Sequence, residues 1–272
     1  MTAHTVISRR LLLKDMGKAG LAVIVFGTAA CSNQPTSNAT PTEEPGSTST
    51  LQPETTTTDP VTASSADSST TVSAGHRWHR ANLGFVSAYI LYRNGEAALV
   101  DTGVGGSDTA IEVALGEVGL TWDAVGHLVV THKHPDHQGS VEAVINAASA
   151  PWYAGVDDID QITASTEGSA IGDGDEVFGL TIIETPGHTP GHISVLDPVS
   201  GILVAGDALN GAESGGVGGP RPDFSEDIDQ ANASVAKLAG FDYEVALFGH
   251  GEPVLEGASE LVIELADSLG GG

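Results

Sequence analysis

Cysteine is nearly missing from this 272-residue chain, which holds only Cys31. That excludes an internal disulfide framework and a thiolate zinc finger, and it leaves no thiol beyond residue 31 to serve as a nucleophile. Positive charge is scarce as well. Ten Lys and Arg stand against 36 Asp and Glu, a formal net charge of −26, which would repel a phosphate backbone and excludes a nucleic-acid partner held by a basic face. Aromatic residues make up 5%. The apolar run at 21–26 is far short of the about 20 residues that span a bilayer as a helix. What is present is a 40% apolar fraction over a length that suits one or two domains.

The chain divides into three zones. Residues 1–31 carry Ser8-Arg9-Arg10-Leu11-Leu12-Leu13-Lys14, then the short apolar core, then the small residues Thr28-Ala29-Ala30 before Cys31. This is the layout of an export signal, and its paired arginines resemble the twin-arginine type. The stretch ending in Cys31 resembles a lipoprotein cleavage site, which implies lipidation of Cys31 and a membrane anchor at the new N-terminus. A plain cleaved signal and an uncleaved anchor are the alternatives. In residues 32–75, Ser and Thr fill 21 of 44 positions, with five prolines among the rest. Such a segment buries too little to offset the entropy of ordering it, and reads as a disordered tether. The expected location is therefore outside the cytoplasm, as a cell-surface or membrane-anchored lipoprotein or as a secreted protein. Residues 76–272 form the third zone, the expected folded domain, with six cations against 30 acids, a net of −24. Acids at that density keep a surface hydrated in high salt.

Within the third zone, apolar β-favouring runs at 85–92 and 97–100 flank Asn94-Gly95, a hairpin signal. Helical spacing over 107–119 predicts a helix capped by Ser107, and helices are also expected at 140–148, at 225–239 with Ser225 as cap, and at 259–269. Strands are expected at 127–130, 176–184, 193–196, 201–205 and 245–248. Paired strands interleaved with helices predict sheets inside and helices outside.

The strongest local feature is Thr131-His132-Lys133-His134-Pro135-Asp136-His137. Three histidines and an aspartate in so short a stretch would arise by accident on the order of once in a thousand chains of this composition. Imidazole and carboxylate suit Zn²⁺, with iron or manganese as further possibilities. Two ions need more donors than this loop offers. Candidates follow later apolar strands beside glycines: His188 in Thr185-Pro186-Gly187-His188-Thr189-Pro190-Gly191-His192, Asp207 in Ala205-Gly206-Asp207, and His250 in Phe248-Gly249-His250-Gly251. His192 reads as an ordinary loop histidine, with a supporting or substrate-facing role as the alternative.

In order and type, these motifs resemble the metallo-β-lactamase-fold hydrolases, over nearly all of the third zone. The resemblance implies an α/β fold, a four-layer αββα sandwich with the metals at one edge. It implies one ion on His132, His134 and His188, a second on Asp136, His137 and His250, Asp207 bridging, and Asp101 behind the ligands orienting them. It further implies two Zn²⁺ and a metal-bridging hydroxide, oriented by Asp136, that attacks an ester, lactone or thioester carbonyl of a small-molecule substrate. The familiar zinc lactamases put Cys or Ser where Asp207 stands, so the chain looks more like the glyoxalase II and lactonase branch. The alternative is a mononuclear iron oxidoreductase like the persulfide dioxygenases, with a phosphodiesterase or a β-lactamase behind it. Loops 152–170 and 210–224 are expected to set specificity.

Overall fold

The computed structural model describes residues 75–212 and 215–270. The export signal with Cys31, and the tether up to residue 74, lie outside the described residues. Strands β1 (Arg77–Asn82), β2 (Ser87–Arg93), β3 (Glu96–Val100), β4 (Val125–Val130), β5 (Trp152–Gly155) and β6 (Ser169–Ile171) form one sheet in that order. A second sheet runs β13 (Val245–Phe248), β10 (Ile202–Gly206), β9 (Ile193–Asp197), β8 (Leu180–Glu184), β7 (Glu176–Val177), and a small ribbon pairs β11 (Asn210–Gly211) with β12 (Val217–Gly218). The helices are α1 (Asp108–Glu117), α2 (Pro135–Gln138), α3 (Val141–Ala148), α4 (Ile228–Leu238) and α5 (Ala258–Gly270).

Strand alternation builds the layers. Ala88, Ile90 and Tyr92 of β2 pack with Ile111 and Leu115 of α1 and Val144 of α3. Tyr89 and Leu91 point the other way, to Ile182, Val195, Val204 and Leu247 of the second sheet. Leu203 and Ala205 of β10, and Ala246 and Phe248 of β13, face Val235 of α4 and Val262 of α5. Side chains one residue apart on a strand enter opposite faces, so both sheets are covered on both sides. This is the four-layer αββα sandwich.

The hairpin joining β2 to β3 turns on Asn94 (φ 54°) and Gly95 (φ 84°), with Arg93 opposite Glu96. Both residues are left-handed, as a two-residue hairpin of this twist requires. Three local expectations are corrected. The run 176–184 is not one strand: Phe178 (φ 58°) and Gly179 (φ 78°) reverse the chain between β7 and β8. Helix α4 starts after Asp227, whose carboxylate accepts from the Gln230 backbone N–H at 2.9 Å, while Ser225 is extended and outside the helix. Ser107 precedes α1, but its hydroxyl makes no capping bond.

Near the start of the described residues His76 is buried beside Asp197, which accepts from its backbone N–H at 2.9 Å and its Nδ1 at 3.0 Å. Burial lowers the His76 pKa, although Asp197 opposes the shift. The Asp197 carboxyl is itself held below its ordinary value: burial opposes, and bonds from Ser200 and His76 outweigh it. The unfolded chain then takes up a proton near pH about 6.5 that folded His76 refuses, so stability is full above that pH and falls below it. We expect the melting temperature to drop between pH 7 and 5 in wild type and to drop less in His76→Gln. Identical slopes in a pH series of thermal melts would remove His76 from this role.

The fold brings strand ends together. Strand β3 runs parallel to β4, and β10 runs parallel to β13. The two sheets are tied at that edge by Ser87 N–H to Gly249 O and Ile193 N–H to Thr131 O, both 2.9 Å. Asp101 follows β3, the histidine-rich loop follows β4, His188 lies just beyond β8, Asp207 follows β10, and His250 lies just beyond β13.

Candidate metal centre

The loop after β4 leaves the strand extended and closes into the single turn α2. His134 has extended backbone at the N-cap (φ −66°, ψ 144°), and Pro135, with its φ already helical and no N–H to satisfy, opens the turn. His132 and His137 are fully buried, whereas His134 and Asp136 reach the surface of a cleft.

Three imidazole nitrogens meet head to head. His134 Nδ1 lies 3.1 Å from His132 Nε2 and 2.9 Å from His188 Nε2. A second group joins Asp136, His137 and His250: His250 Nε2 is 3.4 Å and His137 Nε2 4.0 Å from Asp136 Oδ2. Asp207 stands between the groups. Its Oδ2 is 3.5 Å from His188 Nε2 and 3.2 Å from His250 Nε2, and its Oδ1 is 3.3 Å from His137 Nε2. Gly249 permits this approach, since a Cβ there would collide with Asp207 Oδ1.

Hydrogen bonds on the far side of three of the rings decide which nitrogen faces inward. Asp101 Oδ2 is 2.8 Å from His137 Nδ1, so that nitrogen carries a proton and Nε2 is the one that faces inward. Burial opposes the charged ring, but Asp207 and Asp101 outweigh it and hold the His137 pKa well above its ordinary value, so a proton and a cation compete for Nε2. The Thr131 hydroxyl donates to the Asp101 carboxylate (2.8 Å) and accepts from His132 Nδ1 (3.0 Å), which frees His132 Nε2. The carbonyl of Phe85, 2.7 Å from His250 Nδ1, can only accept, so His250 Nε2 also turns inward. Asp101 itself is buried at φ 64°. Its links to two of the inward-facing rings are the kind of support that raises ligand basicity and fixes tautomer.

The donor set fits divalent cations. His137 Nε2 and Asp207 Oδ1 are buried without a hydrogen-bond partner among the described residues. Tetrahedral zinc with Zn–N of about 2.0–2.1 Å sets its nitrogens about 3.3 Å apart, close to the spacing of the first group. Each of three trios, His132–His134–His188, His132–His137–Asp207 and Asp136–His137–His250, has donor atoms within 4.8 Å of one another. Burial lowers the pKa of His134, sends that of His132 well below its ordinary value, and brings His188 to about 4. These rings are neutral at pH 7, the form that ligates. His250 is raised to about 10 by its bonds to Asp136 and Asp207, and Asp136 is lowered mainly by His250. There a proton and a cation compete for one lone pair.

Sequence reasoning undervalues one residue. His192 is buried rather than on a solvent loop, and its Nε2 accepts the backbone N–H of Asp207 at 3.0 Å while Nδ1 bonds Thr185 Oγ1 at 2.8 Å. It thereby fixes the backbone of the residue between the two groups. The repeated Pro-Gly-His in 186–192 was the available signal. His192→Phe keeps the ring and removes the acceptor, and a buried N–H left unpaired costs about 1–3 kcal/mol. A lower melting temperature of the metal-free protein and roughly tenfold weaker metal binding are expected; wild-type values for both would contradict it. His127 lies tilted against Tyr153 and Phe178, away from this edge, and Trp152 is in the core.

His134, Asp136, His188, Asp207 and His250 line a cleft of about 570 Å³ together with Phe85, Arg221 and Phe224. The family profile of the metallo-beta-lactamase superfamily matches residues 81–250, which spans every one of these side chains. The chain belongs to the metallo-beta-lactamase superfamily. Among superfamily relatives it is 27% identical over 170 residues to the probable metallo-hydrolase YflN of Bacillus subtilis, covering 47% of this chain and 64% of that protein. It is 33% identical over 157 residues to a hydroxyacylglutathione hydrolase of Alkalilimnicola ehrlichii, covering 57% and 56%. The chain thus spans about half to two thirds of the length of these relatives. In fold it is similar to the family protein TTHA1429 of Thermus thermophilus, with TM-score 0.57 at 24% identity over 72% of this chain and 80% of that one. It is also similar to the metallo-beta-lactamase SMB-1, with TM-score 0.58 at 17% identity over 72% and 92%.

Proposed function

We propose that the domain is a dinuclear metal-dependent hydrolase of small-molecule esters or lactones, with thioesters as the third substrate class. The observation that carries this reading is the convergence of inward-facing imidazole nitrogens on the buried Asp207 carboxylate. His132, His134 and His188 would hold one ion, Asp136, His137 and His250 the other, and Asp207 both. Zn²⁺ suits this nitrogen and oxygen set, with iron or manganese as alternatives. When bound, such ions lower the pKa of water towards about 7 and polarise a carbonyl oxygen.

The chain's own residues do the remaining work. Asp101, Thr131 and the Phe85 carbonyl keep ligand protons on the outer nitrogens. Asp136 lines the cleft, and the neighbouring His250 favours its ionised form, so it accepts a hydrogen bond from the attacking water and orients it. Phe85 and Phe224, exposed at the cleft wall, offer apolar contact to an acyl group. Export and a lipid anchor at Cys31 are part of the proposal and are supported by the sequence pattern of residues 1–31. Among the described residues no helix is long and apolar enough to cross a membrane.

The test is a hydrolysis panel of esters, lactones, thioesters, phosphodiesters and β-lactams on the metal-loaded full chain. Ester or lactone turnover abolished by a chelator is expected. Two bound metals with no turnover across the panel would contradict it. A single iron with oxygen uptake on a persulfide would move the chain to the oxidoreductase alternative.

A further inference from the structure

Four acids among the described residues are buried: Asp101, Asp158, Asp197 and Asp207. Asp101 and Asp207 serve the metal centre and Asp197 holds His76, which leaves Asp158 without a task. A buried carboxylate is costly unless its oxygens are satisfied, and those of Asp158 are. Its Oδ2 accepts from the Lys133 backbone N–H at 3.0 Å and from the Thr189 hydroxyl at 2.5 Å, and its Oδ1 accepts from the Gly191 backbone N–H at 2.9 Å. Lys133 Nζ lies 3.9 Å away, turned mainly to Glu226 at 2.9 Å.

The partners decide the meaning. Lys133 sits between His132 and His134, and Thr189 follows His188. The first loop hangs from β4 of one sheet, the second from β8 of the other. One carboxylate therefore grips both loops that supply the three-histidine pocket. Close backbone approach makes room for it: a Cβ on Gly191 would collide with the Asp158 backbone nitrogen, and one on Gly155 with the Gly191 carbonyl oxygen.

Building on the metal-centre reading above, we infer that Asp158 is a positioning residue that sets the spacing of His132 and His134 against His188, and so the affinity and geometry of the ion they hold. Asp158→Asn keeps the shape but turns one acceptor oxygen into a donor that faces donors. Thr189→Val removes one of the bonds at nearly constant volume, and serves if the first variant fails to fold. The experiment titrates Zn²⁺ against a chromophoric chelator, records the visible spectrum of the Co²⁺-loaded protein, and measures the melting temperature of the metal-free form. In Asp158→Asn one of two binding steps is expected to weaken by about 10–100-fold, with altered Co²⁺ ligand-field bands and a near-normal second step. Thr189→Val is expected to weaken the same step by a smaller factor. A lowered metal-free melting temperature with wild-type affinities and spectrum would show a merely structural role and overturn the inference alone. Fewer than one ion bound per wild-type chain would overturn the metal-centre reading and this inference with it.

Discussion

Replacing His134 with alanine is expected to empty the three-histidine pocket and end hydrolysis while leaving the fold in place. His134 Nδ1 is the nitrogen common to both short contacts of that group. Its ring lies at the cleft wall rather than in a core, and the role of the residue in α2 is played by its backbone carbonyl, which accepts from His137 N–H at 3.0 Å. Alanine keeps that bond. A four-ligand zinc site worth about 10–16 kcal/mol assigns about 3–4 kcal/mol to each ligand, or two to three powers of ten in affinity. With the ion gone, the charge stabilisation it gives the transition state is lost as well, several kcal/mol more. Metal content should fall from near two to near one per chain, and kcat/KM by at least about 10³-fold. Elemental analysis and kinetics on one preparation check this. Retained metal with retained activity would remove His134 from the centre.

Asp207→Asn should be as damaging, for a different reason. The six imidazoles and carboxylates around it come from both sheets, and the Asp207 carboxylate lies within 3.5 Å of nitrogens from both groups. Asparagine preserves the volume and the backbone N–H held by His192, but removes the negative charge between two cationic positions. Two divalent ions close together repel strongly in a buried site unless an anion is shared between them. The loss should therefore reach both ions: stoichiometry below wild type at every metal concentration, weaker binding in both steps, and kcat/KM down by about 10³-fold or more. A melting temperature of the metal-free variant near wild type would place the loss in metal binding, not folding. If Asp207→Asn bound two ions at wild-type affinity, Asp207 would not be the shared ligand.

The legible part of this molecule was local. Asn94-Gly95 announces its hairpin because only left-handed residues make that turn. The 132–137 loop stands out because four donors fall within one short segment. The alternation that sorts Tyr89 from Ile90 into different cores was hidden, since β2 is buried on both faces and reads as a continuous apolar run. His188, Asp207 and His250 carry little signal alone; their order and glycine neighbours became meaningful through the family pattern. His192 and Asp158 escaped because their work is to accept from backbone N–H groups, and every residue has a backbone. Strand β1 was missed as well, as Arg77-Trp78-His79-Arg80 has few apolar residues to mark it.

The most direct measurement is anomalous diffraction from crystals of the full chain grown with Zn²⁺, at energies on both sides of the zinc edge. Two peaks are predicted, one among His132, His134 and His188 and one among Asp136, His137 and His250, with Asp207 touching both. A map with no peak there, or with zinc only at surface acids, would contradict the assignment of this edge of the sandwich as a dinuclear centre.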